Sequence, residues 1–527
     1  MFRALFALEV EMNRLLTATI SIVVLICVPF SACVVRGDDQ VDVPARRNAG
    51  TITKTESFDH DPGWDGARNH IELPAIRKQQ DFGYQASHHA GAAAGEIGGT
   101  VWRSTSPAYY GKRIEPLTFE DTLQASGTVA VTQSETDFGW QTGSTVFVGF
   151  FNHQEQGWRP VNFIGFRLET HTDTDAKELE KRPAIEISYG TSKWAAGGVH
   201  VNTAGPAQQR NVKQLDQDAL RRVPPDGSRH TWELRYVPKK DGSAELIFVF
   251  DGVESRVSIS AGHRRHGATF DRFGIFNNPL PGNSITAYFD DITVNGEFDD
   301  FGDDPAWDEK GNRNLIEDKE EYGSNDYGYR ATNHAGGEKP GELGGRFFSV
   351  DPWERQFQGY YGDCVGTLTM NDKLVARGKF ATKRFSTDST FALGWFNSKD
   401  QGFPIKNFVG VFFDSYSSVG RIVAPLYGTS EGNNKQDTGY VTFLPNGTSY
   451  DWRLEYDPDV AGGRGAITFS IGGQEITAPL HEGDKAKGAT MDRFGVFNLG
   501  WANSKHCVVY LDDLNYTAAT NAQEKGD

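Results

Sequence analysis

The sequence is poor in cysteine and in positive charge. Only four cysteines occur among 527 residues, too few for the disulfide framework that holds many small secreted domains together. Lysine and arginine together number 53, against 70 aspartates and glutamates, so the formal net charge is −17. Nucleic-acid binding needs a basic surface, and we therefore expect no nucleic-acid partner.

Long apolar segments with a helical period are scarce, and so are known catalytic motifs. Neither HExxH nor CxxC is present, and the glycine-rich stretches lack the Lys-Ser/Thr ending of a phosphate-binding loop. Glycine, in contrast, is plentiful with 59 residues, and aromatic residues make up 12% of the chain. This composition, with short apolar runs between turn residues, favours an all-β protein.

Residues 1–33 have the pattern of an export signal. Arg14 precedes the apolar run LLTATISIVVLICVPFSAC, which Pro29 interrupts and small residues end, so cleavage is favoured over a permanent membrane span. The run ends at Cys33 in a sequence similar to a bacterial lipobox. Two forms stay open: a secreted or periplasmic protein, or one held at a membrane only by a lipid on Cys33. Both are extracytoplasmic, and a flexible linker is predicted over 34–55.

The rest of the chain contains one sequence written twice. FDHDPGWDGARN (58–69) returns as FGDDPAWDEKGNRN (301–314), and GATFDRFGIFN (267–277) returns as GATMDRFGVFN (488–498). Further matched phrases keep the same order. We predict a duplication of a whole module, with copies over 56–297 and 298–517 and a disordered tail over 518–527.

Each copy contains many short runs typical of strands. STVFVGFFN and NFIGFRLE, for example, are rich in aromatic and β-branched residues and are bounded by Gly, Pro, Asn or Asp. Such strands at even spacing indicate an antiparallel sandwich of the jelly-roll type. The predicted fold is all-β, with two tandem antiparallel jelly-roll β-sandwiches.

The opening Asp-Pro-x-Trp-Asp and the closing DRFGIFN…YFDDITV resemble the concanavalin A-like lectin/glucanase (laminin G-like) jelly rolls of exported bacterial proteins. The resemblance covers both copies and implies two packed sheets with a concave face that often holds carbohydrate in relatives. It assigns no activity, because this fold carries lectins, hydrolases, lyases and adhesion modules. The paired carboxylates Glu-x-Asp-x-x-Glu of glucanases with this fold are missing here.

A repeated phrase supplies the first candidate site residues. His-Ala-Gly…Gly-Glu-x-Gly-Gly occurs at 89–99 and again at 334–345. In one interpretation the glycines shape a tight loop that His and Glu hold together by hydrogen bonds. In the other, His and Glu transfer protons or bind sugar in a cleft.

Tyrosines and amides near the phrase extend this predicted cleft. Tyrosine faces stack on sugar rings and amides both donate to and accept from hydroxyls, although core packing and turn capping are the alternatives. The candidate glycan-binding residues are His89, Glu96, Tyr110, Asn152, Gln156, His334, Glu342, Tyr361, Asn397 and Gln401.

Acidic residues near the module ends predict a structural Ca²⁺ site, a kind of site that the resemblance also implies. Its hard oxygen ligands are Asp59, Asp291, Asp303 and Asp513, and the alternative is a set of solvated turn acids.

The two cysteines beyond the signal, Cys364 and Cys507, fall near opposite ends of the second copy. A disulfide is predicted if the first and last strands run side by side, and two free thiols are the alternative.

These features together predict an exported glycan-binding protein whose partner is a polysaccharide or a cell-surface glycan, because two weak sites on one chain raise avidity. The alternative is a glycan-cleaving enzyme, a polysaccharide lyase or an unusual glycoside hydrolase, with a His/Glu/Tyr site. The first copy is favoured for a site because its loop from Gly190 to Trp232 is longer than the matching loop from Gly428 to Trp452.

Overall fold

The structure is a computed structural model that describes ten stretches of the chain. They are residues 50–71, 75–135, 143–170, 182–203, 219–319, 324–349, 358–400, 405–432, 439–499 and 505–520. The predicted export signal with Cys33, most of the predicted linker, Gln401, and residues 521–527 of the predicted tail lie outside them. Strand accounts for 58% of the structure and helix for 3%, so the predicted all-β class is confirmed.

The elements follow one another along the chain in this order. The strands are β1 (Thr51–Glu56), β2 (Asp65–Ala67), β3 (Ala75–Gln79), β4 (Asp81–Gln85), β5 (Glu96–Trp102), β6 (Tyr109–Thr118), β7 (Leu123–Ser134), β8 (Thr145–Phe151), β9 (Phe163–Glu169), β10 (Ala184–Gly190), β11 (Ala196–His200), β12 (Arg229–Pro238), β13 (Ala244–Phe250), β14 (Val253–Ile259), β15 (Thr269–Asn277), β16 (Ser284–Val294), β17 (Glu297–Asp299), β18 (Asp308–Lys310), β19 (Leu315–Lys319), β20 (Asp326–Arg330), β21 (Glu342–Phe348), β22 (Tyr360–Thr369), β23 (Leu374–Phe385), β24 (Phe391–Phe396), β25 (Phe408–Tyr416), β26 (Gly420–Gly428), β27 (Val441–Phe443), β28 (Tyr450–Asp457), β29 (Ala466–Ile471), β30 (Gln474–Pro479), β31 (Thr490–Asn498) and β32 (His506–Ala519). The helices are α1 (Ala261–His266) and α2 (Asp484–Lys487). Among the described residues no helix has the length and apolar content needed to cross a membrane.

Four large antiparallel sheets form two sandwiches. The first sandwich has a seven-stranded sheet, β11-β10-β9-β8-β15-β6-β18, and an eight-stranded sheet, β14-β13-β12-β7-β16-β5-β4 with β17 on β16. The second has a seven-stranded sheet, β2-β22-β31-β24-β25-β26-β27, and an eight-stranded sheet, β20-β21-β32-β23-β28-β29-β30 with β1 on β32. Each sandwich encloses one apolar core. The predicted antiparallel sandwich architecture is therefore confirmed.

Side-chain alternation distinguishes the two kinds of sheet. In β14 of an eight-stranded sheet, buried and exposed residues alternate, as expected of a strand with one face in the core and one in solvent. In β8, β9 and β10 of the first seven-stranded sheet every residue is buried. That sheet is therefore covered on its outer face as well.

The opening segment of each repeat completes the sandwich of the other repeat. We call residues 51–67 the first strap and residues 297–310 the second strap. The first strap pairs with β32 and β22 of the second sandwich, and its Phe58 and Trp64 lie in the second core. The second strap pairs with β16 and β6 of the first sandwich, and its Phe301 and Trp307 lie in the first core.

Strand pairing therefore crosses the predicted module boundary in both directions. β1 begins inside the segment predicted as a linker, and β32 extends through Ala519 into the predicted tail, because these two ends of the chain pair with each other over six residues. After the straps, β3 and β19 form a two-stranded sheet between the repeats. The matched phrases alone could not reveal this exchange, since both straps have the same apolar pattern.

The two sandwiches also meet directly. The carbonyl oxygen of Trp158 accepts hydrogen bonds from Thr387 N at 3.1 Å and from Arg421 Nη2 at 2.6 Å. Arg421 is fully buried and its guanidinium carbon lies 5.0 Å from the ring centre of Trp194. Burial lowers the pKa of Arg421 to about 9. A buried arginine that bonds to backbone across the seam ties the Trp158 loop of the first repeat to the second repeat.

We predict that Trp64→Ala weakens the second sandwich although the residue precedes the first. Trp64 contacts Phe58, Tyr361 and Tyr516 at ring-centre distances of 5.1, 5.7 and 5.9 Å, and a buried aromatic-to-alanine change costs about 3–5 kcal/mol of unfolding free energy. Hydrogen exchange should accelerate mainly in β22 and β32. The matched control, Trp307→Ala, should act on β6 and β16 instead. Faster exchange of β6 and β16 in Trp64→Ala would contradict the strap assignment.

Candidate functional site

The repeated phrase forms the loop between two strands in each repeat, and its glutamate folds that loop. Glu96 begins β5 and is fully buried. Its carboxylate accepts hydrogen bonds from Ser87 Oγ at 2.6 Å and from the backbone N–H groups of His89 and Ala90 at 2.9 and 2.7 Å. Three donors to one buried carboxylate fix the conformation of the loop.

The second repeat builds the same loop from different neighbours. Glu342 accepts from Thr332 Oγ1 at 2.5 Å and from the backbone N–H groups of His334 and Ala335, each at 2.8 Å. The threonine replaces the serine of the first repeat. The glutamates therefore have the loop-holding role of the first interpretation, although it is backbone N–H groups, and not histidine rings, that they bind.

A second acidic residue explains one glycine of the phrase. Gly91 packs so closely on Asp290 that a Cβ added at Gly91 would lie 1.4 Å from Asp290 Oδ2. A Cβ added at Gly337 would lie 1.9 Å from Asp512 Oδ2. Burial, followed by the charges of Asp291 and Glu96, raises the pKa of Asp290 to about 6. Burial, followed by the charges of Asp513 and Glu342, raises the pKa of Asp512 to about 7. Only glycine leaves room for these carboxyl groups.

The two histidines lie outside this arrangement. The His89 ring is exposed and stacks on Tyr288 with ring centres 4.3 Å apart. His334 meets Tyr510 edge-on at 4.4 Å, and its Nε2 lies 3.2 Å from Lys383 Nζ. The structure thus separates each histidine ring from the glutamate with which the sequence paired it.

The candidate tyrosines are core residues in contact with the straps. Tyr110 is 3% exposed and stacks on Trp307, and its hydroxyl donates to Asp304 Oδ1 at 3.3 Å. Tyr361 is 6% exposed, and its ring centre lies 5.7 Å from that of Trp64. Burial raises the pKa of both hydroxyls. The structure gives both tyrosines a packing role, and neither presents a ring face to solvent.

The candidate amides cap turns. Asn152 Oδ1 accepts from Gln154 N and its Nδ2 donates to Thr269 Oγ1, both at 3.0 Å. Asn397 accepts from Lys399 N and donates to Thr490 O, again at 3.0 Å. The side-chain nitrogen and oxygen of Gln156 are buried without a hydrogen-bond partner, whereas Gln401 lies outside the described residues.

The predicted calcium site is not assembled. Among the described residues no group of three or more His, Cys, Asp and Glu side chains is arranged to hold a metal ion. Asp59 instead accepts from Lys339 Nζ at 2.6 Å, while Asp291 and Asp303 are exposed. Asp513, like Asp291, has a positive φ at a bulge in the last strand of its repeat.

The predicted disulfide is also wrong, because Cys364 and Cys507 are free cysteines. Cys364 pairs with Arg493 in the seven-stranded sheet, and Cys507 pairs with Phe347 and Phe385 in the eight-stranded sheet. The strands that contain the two cysteines, β22 and β32, thus belong to different sheets. Burial raises the pKa of the Cys507 thiol, which keeps it protonated and unreactive.

Sequence reasoning missed a polar covered surface of the first sandwich. One residue from each of six neighbouring strands lies in register across the outer face of the first seven-stranded sheet. We call this set the covered row; its members are Tyr109, Phe276, Phe147, Arg167, Glu186 and His200. Half of the covered row is aromatic and half is charged.

Arg167 is the centre of the covered row. It is 3% exposed, and its Nη2 lies 2.6 Å from Glu186 Oε2 and 2.8 Å from Glu169 Oε2. His200 Nε2 lies 3.4 Å from the same Glu186 oxygen. The Nε and Nη1 atoms of Arg167 are buried and have no hydrogen-bond partner. A buried guanidinium with two unsatisfied N–H directions is costly and needs an explanation.

Further cations surround Trp158, which lies above the covered row. The guanidinium carbon of Arg167 is 4.6 Å from the Trp158 ring centre, and Lys505 Nζ is 5.4 Å from it. Burial lowers the pKa of Arg103 to about 10 and lowers the pKa of Lys505. Trp158 Nε1 and the Nε atom of Arg103 are also buried without a partner. Unsatisfied donors are therefore concentrated around one aromatic ring.

The charged half of the covered row is private to the first repeat. The corresponding row of the second sheet contains Tyr360, Phe497, Ala392, Phe412 and Ala424. Phe412 replaces Arg167 and Ala424 replaces Glu186, and the face closes as an apolar cluster. The signal in the sequence was the presence of Arg and Glu inside FIGFRLE and AIEISYG, two otherwise apolar strands with both faces buried.

The sequence matches no protein-family model and no curated protein. Solved structures that match include domains LG4-5 of the mouse laminin alpha1 chain, with 13% identity over 86% of this chain and 96% of that one and a TM-score of 0.23. Lectin I-B4 from Griffonia simplicifolia has 14% identity over 36% of this chain and 91% of that one, with a TM-score of 0.24. A GH131 beta-glucanase catalytic domain from Podospora anserina has 14% identity over 37% and 77%, with a TM-score of 0.23. These are jelly rolls of the group that the sequence resembles, but at such scores the likeness carries no argument about function.

We predict that Asp512 makes the protein less stable as the pH rises. Its folded pKa of about 7 lies above the ordinary value of 3.8. Its stabilising contribution to the free energy of unfolding is therefore fully present below the unfolded pKa and is lost as the pH rises through the folded pKa. Asp512→Asn stays neutral and should unfold with a free energy higher than wild type at pH 8.5 by more than about 1 kcal/mol, with a smaller difference at pH 5. Urea unfolding at both pH values measures this. Asp451→Asn, which changes an exposed acid of the same sheet, is the control, and an Asp512→Asn difference that is independent of pH would contradict the assignment.

Proposed function

We propose that the first sandwich binds an acidic glycan at the covered row, and that the protein does so outside the cytoplasm. The proposal is supported above all by Arg167, a buried guanidinium whose Nε and Nη1 groups have no partner. These two N–H groups point to different sides of the guanidinium, and each can donate a charge-assisted hydrogen bond to an oxygen of an acidic ligand.

The neighbouring residues fit a sugar acid better than a simple anion. Trp158 packs on Arg167 and, once the residues above the row have moved, would give a sugar ring an apolar face. Ser188 Oγ, on β10, and Trp158 Nε1 are further buried polar groups without partners that suit hydroxyl oxygens. Glu186 and Glu169 hold Arg167 in place, so the arginine is preorganised for its ligand.

Burial of the covered row has a consequence for binding kinetics. Because Arg167 is 3% exposed, a ligand reaches it only after the residues above it move. Association that requires such a change is slower than ordinary encounter. We therefore expect association rate constants below the usual range for an open groove.

Arg167→Lys tests this function without leaving buried carboxylates unpaired. Lysine keeps the positive charge beside Glu186 and Glu169 but loses the Nε and Nη1 donors, so affinity for a uronate-containing polysaccharide should fall at least about tenfold. Arg256→Ala, which removes an exposed arginine from β14 of the opposite sheet, is the matched control and should bind as wild type does. Affinity electrophoresis and calorimetry against acidic and neutral polysaccharides measure the effect. Unchanged affinity in folded Arg167→Lys, or equal binding of neutral glycans, would sink the proposal.

A second candidate function, glycan cleavage by β-elimination, is favoured by the 3.4 Å approach of His200 Nε2 to Glu186. In that reaction Arg167 would neutralise the uronate carboxylate, and His200 would take the proton from the carbon next to it. The bond from the following carbon to the glycosidic oxygen would break, and that oxygen would leave with a proton from water. Cleavage leaves a carbon–carbon double bond whose ultraviolet absorbance can be followed. His200→Gln should then abolish the absorbance increase and keep binding, whereas an unaltered polysaccharide after prolonged incubation with wild type leaves binding alone.

A further inference from the structure

The two strap seams contain ion pairs of opposite polarity at matched positions. In the first strap, Lys54 Nζ donates to Asp363 Oδ2 of the second sandwich at 2.5 Å. In the second strap, Glu297 Oε2 accepts from Lys112 Nζ of the first sandwich at 2.7 Å. Lys54 and Glu297 each stand four residues before the strap phenylalanine, and Lys112 and Asp363 each follow a Tyr-Tyr-Gly. Both seams thus keep an ion pair, but the strap carries the positive partner in the first pair and the negative partner in the second.

The polarity makes the straps non-interchangeable. Asp363 also accepts from Tyr516 Oη at 2.8 Å, and the Lys54 and Asp363 side chains are 27% and 15% exposed. Burial, and after it the nearby charge of Asp363, raises the pKa of Glu56 on the same strap. A strap with glutamate at the position of Lys54 would add a third acid to this partly buried group, and like charges at such distances repel strongly.

The seams also differ in how each strap is connected to its sandwich. The second strap follows β16 through the Asn295–Gly296 turn, whose residues both have positive φ, and pairs with that strand as a hairpin. The first strap pairs with β32, the far end of the chain, without any such turn. A cavity of about 320 Å³ lies along this seam, lined in part by Lys54, Trp64, Cys364 and Tyr516. The second sandwich thus has a strand-binding groove whose occupant comes from a distant part of the chain.

We propose that this groove is an interaction surface for the first strap of a second copy of the chain, so that two copies exchange first straps, and that the Lys54–Asp363 pair restricts the exchange to that strap. Every contact of the strap is the same whether it comes from its own chain or from a second copy. Asn69 and Ile71, just after the strap, are also hydrogen-bonded to Tyr327 and Asn325 of the second sandwich and would move with the strap. Charge complementarity selects the first strap over the second.

Mixing two full-length charge-reversed variants tests the proposal. In Lys54→Glu and in Asp363→Lys, the strap and groove of one chain repel each other, so each variant alone should have a lowered Tm. In the mixture, exchange pairs the wild-type strap of one variant with the wild-type groove of the other, and the reversed strap with the reversed groove. We expect a one-to-one dimer by light scattering, with a Tm above that of either variant by about 4 °C or more.

The controls separate charge selection from loss of folding. The double variant Lys54→Glu/Asp363→Lys restores an attractive pair and should have a near-wild-type Tm and the oligomeric state of wild type, and Lys112→Glu, reversed at the other seam, should form no dimer with either single variant. If a reversal prevents folding, mixed single variants Thr55→Cys and Asn515→Cys, whose positions are register partners, should form an intermolecular disulfide at high concentration. Two unchanged monomers in the mixture, or no intermolecular disulfide, would overturn the proposal.

Discussion

The whole described structure depends on the burial of one aromatic pair from each repeat in the core of the other. Phe58 and Trp64 occupy the second core, and Phe301 and Trp307 occupy the first. Burial of large aromatic side chains is among the strongest stabilising contributions that single residues make. Because neither sandwich contains its own opening segment, we infer that the two repeats stabilise each other as one cooperative unit. Duplication of the module thus produced a mutual dependence as well as a second copy.

This dependence leaves the two outer faces free to diverge. In the second repeat the face became apolar, with Phe412 and Ala424 at the positions of Arg167 and Glu186. Through Arg421 and Thr387 the second repeat instead holds the backbone of Trp158, whose ring packs on Arg167. We interpret the second repeat as a support for the site proposed in the first. Two equal glycan sites on one chain, the arrangement that avidity would favour, do not fit these faces.

Much of the fold followed from local sequence, and much of the site did not. Strands such as STVFVGFFN can be predicted from their β-branched and aromatic residues, and the repeated phrases located equivalent loops. The strap exchange depends on which of two similar grooves a segment enters, and the grooves are distinguished by the signs of Lys54 and Asp363 and by the hairpin turn before the second strap. Tyr110 and Tyr361 were expected at a cleft because tyrosine suits both sugar binding and core packing, and sequence alone does not tell these uses apart. Arg167 and His200 come together through cross-strand register, which only the sheet topology supplies.

The most direct measurement of the exchange is a site-specific crosslink within one chain. Thr55 and Asn515 are register partners whose side chains hydrogen-bond at 3.1 Å, so the variant Thr55→Cys/Asn515→Cys should form an intramolecular disulfide at low protein concentration, with no loss of folded structure. The residue that matches Asn515 in the first repeat is Thr293. If the first strap belonged to the first sandwich, Thr55→Cys/Thr293→Cys would crosslink instead. A disulfide in the first variant and none in the second is the result that the strap exchange predicts, and the reverse result would contradict it.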